Sequence, residues 1–199
     1  MKYLAYIKPS EEFLNKAGDY VQNLGDDVSK NLLDTGHCTV FYGQLANVIK
    51  GKKTAPKIIK GFKNIIPSPA RNTRIEKLEL FDENSLVARL EDSAGYIRRI
   101  HFSLINTFRE FLDRDILDNL ELIPQQYREN RDRVRVYQTW GSEYSGDLYA
   151  PHITLCRLKQ VKEGILTNPF EGIEWVTDEV YLAKRVEGKW EDIALVKLH

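Results

Sequence analysis

The sequence predicts an α+β domain built from two related lobes, and three observations carry that expectation. Its 199 residues are long enough for one good-sized core or two small, intimately packed lobes. Short β-prone runs alternate with helical periodicities along the whole chain, with no linker-like or low-complexity segment to divide it. One order of elements, strand then helix then a strand carrying His-x-Thr-aliphatic, is met in each half. The strings are His37-Cys38-Thr39-Val40 and His152-Ile153-Thr154-Leu155.

Tyr3 to Ile7 is aromatic and aliphatic, stops at Pro9, and reads as a first strand. Ser10-Glu11-Glu12 then opens a helix, with Ser10 as N-cap and two acids favourably placed in the first turn. Phe13, Leu14, Ala17, Val21 and Leu24 follow at helical spacing, and Gly25 offers the stop. His37 to Tyr42 is the second strand, closed by Gly43. Thr54-Ala55-Pro56 starts another helix with Pro56 near its first turn. Ile58, Ile59, Phe62, Ile65 and Ile66 form its apolar face, and Pro67-Ser68-Pro69 ends it. Ile75 to Phe81 and Leu86 to Leu90 make a hairpin about Asp82-Glu83-Asn84.

The longest helical pattern spans about 96 to 113, where Ile97, Ile100, Leu104, Ile105, Phe108, Phe111 and Leu112 recur at three and four residues. This helix is expected to open the second lobe. Val134 to Trp140 reads as a strand, Gly141 to Pro151 as a loop, and Ile153 to Leu158 as the second motif strand. A short helix is expected over Val161 to Leu166. Glu174 to Ala183 and Ile193 to Leu198 form a closing pair around the Glu187-Gly188-Lys189 turn.

Residues i and i+2 of a strand share a face, so each string presents an imidazole beside a hydroxyl. Two such strands side by side would surround one small space with His37, Thr39, His152 and Thr154, groups suited to acid–base work on a phosphate ester. By the same alternation Cys38 faces away from His37, Cys156 shares the face of His152, and Arg157, a cation that could neutralise a phosphate, points away from it. The two cysteines then read as buried small apolar residues.

Composition narrows the alternatives. Twenty-nine basic side chains balance 29 acidic ones, so no global field draws the chain to long nucleic acid or anionic membrane. No apolar stretch approaches a membrane span, and the start of the chain has no signal-peptide pattern, so a cytoplasmic protein is expected. There is no His-Glu-x-x-His, no paired Cys-x-x-Cys and no glycine-rich phosphate loop, so neither metal nor cofactor is expected. His101 falls in the apolar stripe of the long helix and reads as a hydrogen-bonded core histidine; His199 is the chain end. From Lys50 to Lys77 nine basic side chains are opposed only by Glu76, which reads as a solvated helix face or, locally, a track for RNA phosphates. Tyr144 and Tyr149 precede His152, where their rings could stack on a base or pack over the lobes.

The two His-x-Thr strings, and the longer run Pro151-His152-Ile153-Thr154-Leu155-Cys156-Arg157, resemble the 2H phosphoesterases, which include 2′-5′ RNA ligase-like and cyclic phosphodiesterase proteins. The resemblance implies one bilobal domain over residues 1–199. Its two pseudo-symmetric lobes of mostly antiparallel sheet would carry helices outside and a central cleft between, lobe one giving His37 and Thr39, lobe two His152 and Thr154. It implies a metal-independent hydrolase of 2′,3′-cyclic phosphates or 2′-5′ bonds in nucleotides or RNA ends, with ligation as the reverse. His37 and His152 would exchange protons with the reacting oxygens. Thr39 and Thr154 would hold the phosphoryl oxygens. A monomer with a nucleotide or RNA terminus as its only partner is expected. The competing expectation is a non-catalytic module that binds a nucleotide or RNA end in the same cleft.

Overall fold

A computed structural model describes residues 1–33, 36–65, 69–81, 83–123, 125–142, 144–162 and 164–198, with the side chains of Ile116 and Gln126 also left aside. Expectations for Ile66 to Ser68, Asp82 and His199 lie outside the described residues. Eleven strands form among those described: β1 (Lys2–Ile7), β2 (Val28–Asn31), β3 (Cys38–Gln44), β4 (Val48–Ile49), β5 (Lys52–Lys53), β6 (Arg71–Leu80), β7 (Ser85–Leu90), β8 (His152–Leu158), β9 (Glu174–Thr177), β10 (Glu179–Val186) and β11 (Lys189–Lys197). The longer helices are α1 (Glu11–Asn23), α2 (Ala55–Lys63), α3 (Tyr96–Phe108) and α6 (Arg131–Trp140), with single turns α4 (Arg114–Leu117) and α5 (Gln125–Arg128) between the last two.

The α+β class and the two lobes are as expected. Nine strands make one antiparallel sheet in the order β11-β10-β1-β3-β8-β7-β6-β9, with β2 also on β8, while β4 and β5 form a separate ribbon. Each motif strand lies at the middle of this sheet, and β3 meets β8 through one pair, Cys38 opposite Ile153. The sheet thus divides there into two halves.

The lobes are not the two halves of the sequence. α1 follows β1 of lobe one yet covers lobe two: Phe13 packs on Phe170 and Trp175, and the Tyr20 hydroxyl donates to the Ile165 carbonyl at 2.5 Å. α3 follows β7 of lobe two yet packs with α2 over β3 and β11 of lobe one, where Phe108 meets Phe41 edge-on. The expected strand Glu174 to Ala183 is two strands. β9 pairs with β6, the chain crosses at Asp178, and β10 pairs with β1 and β11. So α3 does not open the second lobe; it closes over the first.

Local signals explain most elements. Ser10 accepts from the Phe13 N–H at 3.2 Å, Glu11 and Glu12 occupy the first turn of α1, and Phe13, Ala17 and Val21 are its buried stripe. The expected strand Val134 to Trp140 is helix α6. Its β-branched residues are overruled by caps at both ends: Asn130 accepts from the Arg133 N–H, and Gly141 closes the helix at φ +81° with its N–H on the Tyr137 carbonyl. Val136 and Tyr137 are buried on this helix. No helix forms over Val161 to Leu166 among the described residues; Gly164 to Leu166 is a turn.

Candidate functional site

Extending the Cys38–Ile153 register by one residue each way sets His37 opposite Thr154 and Thr39 opposite His152. Facing residues of an antiparallel pair share one side of the sheet. Cys38 and Ile153 point to the other side, where both are buried. The four polar side chains line one cleft of about 310 Å³, together with Leu32, Phe81, Ser85 and Arg157. The histidines sit at opposite corners of this square, a diagonal of about 7–8 Å in a regular ladder.

Arg157 corrects the simple alternation. β8 pairs with β7 in one register up to Thr154–Val87 and in another from Cys156–Leu86 onward, so Leu155 is the extra residue of a bulge. Beyond the bulge the faces exchange. Cys156 is buried rather than beside His152, and Arg157, opposite Ser85, comes round to the cleft. β3 does the same against β1: Thr39 is opposite Tyr6 and Phe41 opposite Ala5, so Val40 is extra. Tyr42, five residues after His37 as Arg157 is five after His152, lines an adjoining pocket of about 210 Å³ with Thr39, Phe81, Tyr144 and His152.

Each histidine has an aromatic neighbour. The His152 ring lies 4.1 Å from Phe81, centroid to centroid, and its Nδ1 is 2.8 Å from the Ala150 carbonyl. A carbonyl only accepts, so Nδ1 carries the proton of the neutral ring and Nε2 its in-plane lone pair. The His37 ring lies 5.1 Å from Tyr6, which stacks on Tyr181 at 5.3 Å. Burial and then the bond to Asp192 push the Tyr6 phenol up; the bond to Glu179 and then burial push Tyr181 up to about 12. Both are neutral rings at working pH.

The bulge in β3 leaves two carbonyls for the loop that leads into His152. Tyr149 donates its hydroxyl to the Thr39 carbonyl at 3.0 Å. His101 has its Nδ1 at 2.8 Å from the Val40 carbonyl, accepts the Gly146 N–H on Nε2 at 2.9 Å, and stacks on Tyr149 at 3.9 Å. His101 is 1 % exposed, and burial pulls its pKa down to about 4 despite the Val40 bond. It is therefore a neutral strut between the two motifs. Tyr149 is buried, and both it and Tyr144 line the adjoining pocket. Burial pushes the Cys38 thiol up to about 12 and the Cys156 thiol to about 11, so neither supplies a thiolate nucleophile.

The sequence pattern points to His37, Thr39, His152 and Thr154, which all line the cleft; it offers Arg157 as a phosphate partner but turns it away, and it does not point to Ser85, Phe81 or Tyr6. No periodicity announces a bulge, and the aromatic neighbours come from strands paired across the sheet. The basic stretch disperses: Arg74 pairs with Glu91, Lys77 with Glu79 at 3.1 Å, and Lys50 to Lys63 lie on the β4–β5 ribbon and α2, away from the cleft. Among the described residues no three His, Cys, Asp or Glu side chains gather as metal ligands, and no helix is long and apolar enough to cross a membrane.

No protein-family model matches the chain, and no curated protein matches its sequence. The fold does match solved structures. TT0787 of Thermus thermophilus superposes with a TM-score of 0.62 at 14% identity, over 100% of this chain and 98% of that one. Apo LigT of E. coli gives 0.62 at 12% identity, over 99% and 96%. A protein described as a phosphoesterase gives 0.59 at 13%, over 99% and 97%. LigT has also been crystallised with 3′-AMP and with phosphate. The chain thus shares the fold of these structures over its whole length.

Proposed function

We propose that this chain is a metal-independent phosphodiesterase that opens 2′,3′-cyclic phosphates or cleaves 2′-5′ bonds in nucleotides or RNA ends, using His37 and His152 as its acid–base pair. The observation that carries the proposal is the convergence of both His-Thr pairs and Arg157 on one cleft at the β3–β8 junction. The LigT fold, and LigT's capture of phosphate and 3′-AMP, support it.

In the proposed reaction one neutral imidazole takes a proton from water as its oxygen bonds to phosphorus. The P–O bond to the leaving ribose oxygen breaks, and the opposite imidazolium gives that oxygen a proton. The diagonal placement suits this, because attacking and leaving oxygens lie on opposite sides of the phosphorus. Thr39 and Thr154 donate to the non-bridging oxygens, and Arg157 meets the charge that builds on them. Ligation of RNA ends uses the same pair with a ribose hydroxyl in place of water. Its oxygen bonds to the phosphorus of a 2′,3′-cyclic end, its proton goes to the neutral imidazole, and the ring P–O bond breaks as the imidazolium protonates the leaving oxygen.

The test is ring opening of 2′,3′-cyclic nucleotides and cleavage of 2′-5′-linked dinucleotides in excess chelator. Turnover is expected, with His37→Ala and His152→Ala each removing it while the fold is retained by circular dichroism. Binding of both substrate types without turnover would instead establish a nucleotide or RNA-end binding module.

A further inference from the structure

The cleft continues past His152 along a row of rings that ends in a cation. Phe81 lies on His152, Tyr144 is 4.5 Å from Phe81, and Tyr127 is 5.5 Å from Tyr144, with the two tyrosine hydroxyls hydrogen-bonded. Arg133 lies over this last pair, its guanidinium carbon 4.5 Å from the Tyr127 ring and 4.4 Å from the Tyr144 ring. Among the described residues its side chain makes no ion pair. Its Nη1 is buried with no acceptor, although the neighbouring Arg135 is paired with Asp132 at 3.4 Å.

A guanidinium stays charged at any working pH and carries five donors in a planar fork that matches a phosphate. Stacked on two rings it is also held in place, so little freedom is lost when an anion arrives. The opposite side of the cleft is different. There the Tyr6 and Tyr181 hydroxyls are bonded to Asp192 and Glu179, so Lys8, whose Nζ lies 3.9 Å from the Tyr181 ring, shares that side with two carboxylates. No described carboxylate pairs with Arg133, and that difference gives the cleft a direction.

We infer that Arg133 is a second phosphate site, and that the substrate is single-stranded RNA whose strand leaves the two-histidine centre over Phe81 and Tyr144, with a base stacked on the tyrosine and the next phosphate on Arg133. This rests on the phosphate-centre reading of the cleft and names its substrate class as an oligonucleotide. Stacking on rings accepts any base, so the strand is selected by length and single-strandedness rather than by sequence.

The experiment is a binding series with 3′-AMP and 3′-phosphorylated oligoadenylates of two, three and four nucleotides, measured by calorimetry at several salt concentrations. Affinity should rise about tenfold from 3′-AMP to the longer members. Arg133→Gln and Tyr144→Ala should each remove most of that rise. Arg133→Gln should also reduce the salt slope for the longer members by about 0.7, the share of one phosphate on a single strand. Arg133→Lys, which keeps the charge, should keep most of the slope if the loss in Arg133→Gln is electrostatic rather than a folding defect. A flat series for the unaltered protein would overturn the inference. So would a rise that survives Arg133→Gln but disappears in Lys57→Gln/Lys60→Gln/Lys63→Gln, which would put the strand on α2. A normal length series from a protein that turns over no phosphodiester would defeat the enzyme reading and leave the strand path standing.

Discussion

Replacing His101 by Asn should destabilise the protein at neutral pH and hardly at all near pH 4.5. Asn can still donate to the Val40 carbonyl, but it loses the acceptor for the Gly146 N–H and the ring stacked on Tyr149. An orphaned buried N–H costs about 1–3 kcal/mol, and an aromatic stack is worth roughly 0.5–1.5 kcal/mol, so the variant should lose about 2–4 kcal/mol at pH 7. The folded pKa of His101 is about 4, below the ordinary 6.5, because burial opposes the charged form and Arg98 adds to that. Between those values the unfolded chain binds a proton that the folded chain refuses. The stability held in the neutral ring is therefore complete above pH 6.5 and is lost as pH falls toward 4, at about 1.36 kcal/mol per unit. From pH 7 to pH 4.5 the loss comes to roughly 2.7 kcal/mol, present in the unaltered protein and absent from the variant. Subtracting urea unfolding free energies of the two proteins at each pH cancels the carboxylates they share. The difference should shrink by about 2–3 kcal/mol on acidification. A difference that is constant within about 0.5 kcal/mol, or grows, would refute the argument.

Two further outcomes follow from the bulge and from the loop into His152. Arg157→Gln should lower kcat/KM on a cyclic or 2′-5′ substrate about 100-fold with the circular dichroism spectrum unchanged, Arg157→Lys should recover part of it, and a value within about threefold of the unaltered enzyme would remove Arg157 from the site. Gly146 sits at φ +60° with the indole nitrogen of Trp140 2.7 Å from where a Cβ would lie. Gly146→Ala should therefore cost about 1–3 kcal/mol and lower Tm by roughly 2–4 °C per kcal/mol in a thermal melt, and an unchanged Tm would show the loop to be freer than drawn.

The parts of the fold that can be read along the chain are those whose signals are local. Ser10 with Glu11 and Glu12 marks the start of α1 because a cap needs only the next three residues. The β6–β7 hairpin is legible because its two runs face each other across a short turn. α6 reads as a strand because Val134, Val136 and Tyr137 outweigh Asn130 and Gly141, yet the caps carry the correct answer. The crossing at Asp178 is not legible, since Glu174 to Ala183 is one β-prone run and its two partners, β6 and β1, lie far away in sequence.

The candidate site divides in the same way. By themselves the residues determined that His37 shares a face with Thr39 and His152 with Thr154, since a period of two is a property of any extended strand. Only the tertiary structure decided that the two pairs share one cleft, because that depends on the single Cys38–Ile153 pair at the seam between lobes. It alone decided that Arg157 joins them, because one extra residue at Leu155 reverses every face beyond it. Identity of the chemical groups is local, but their meeting is a matter of strand register, and register is fixed by residues that pair from opposite ends of the chain.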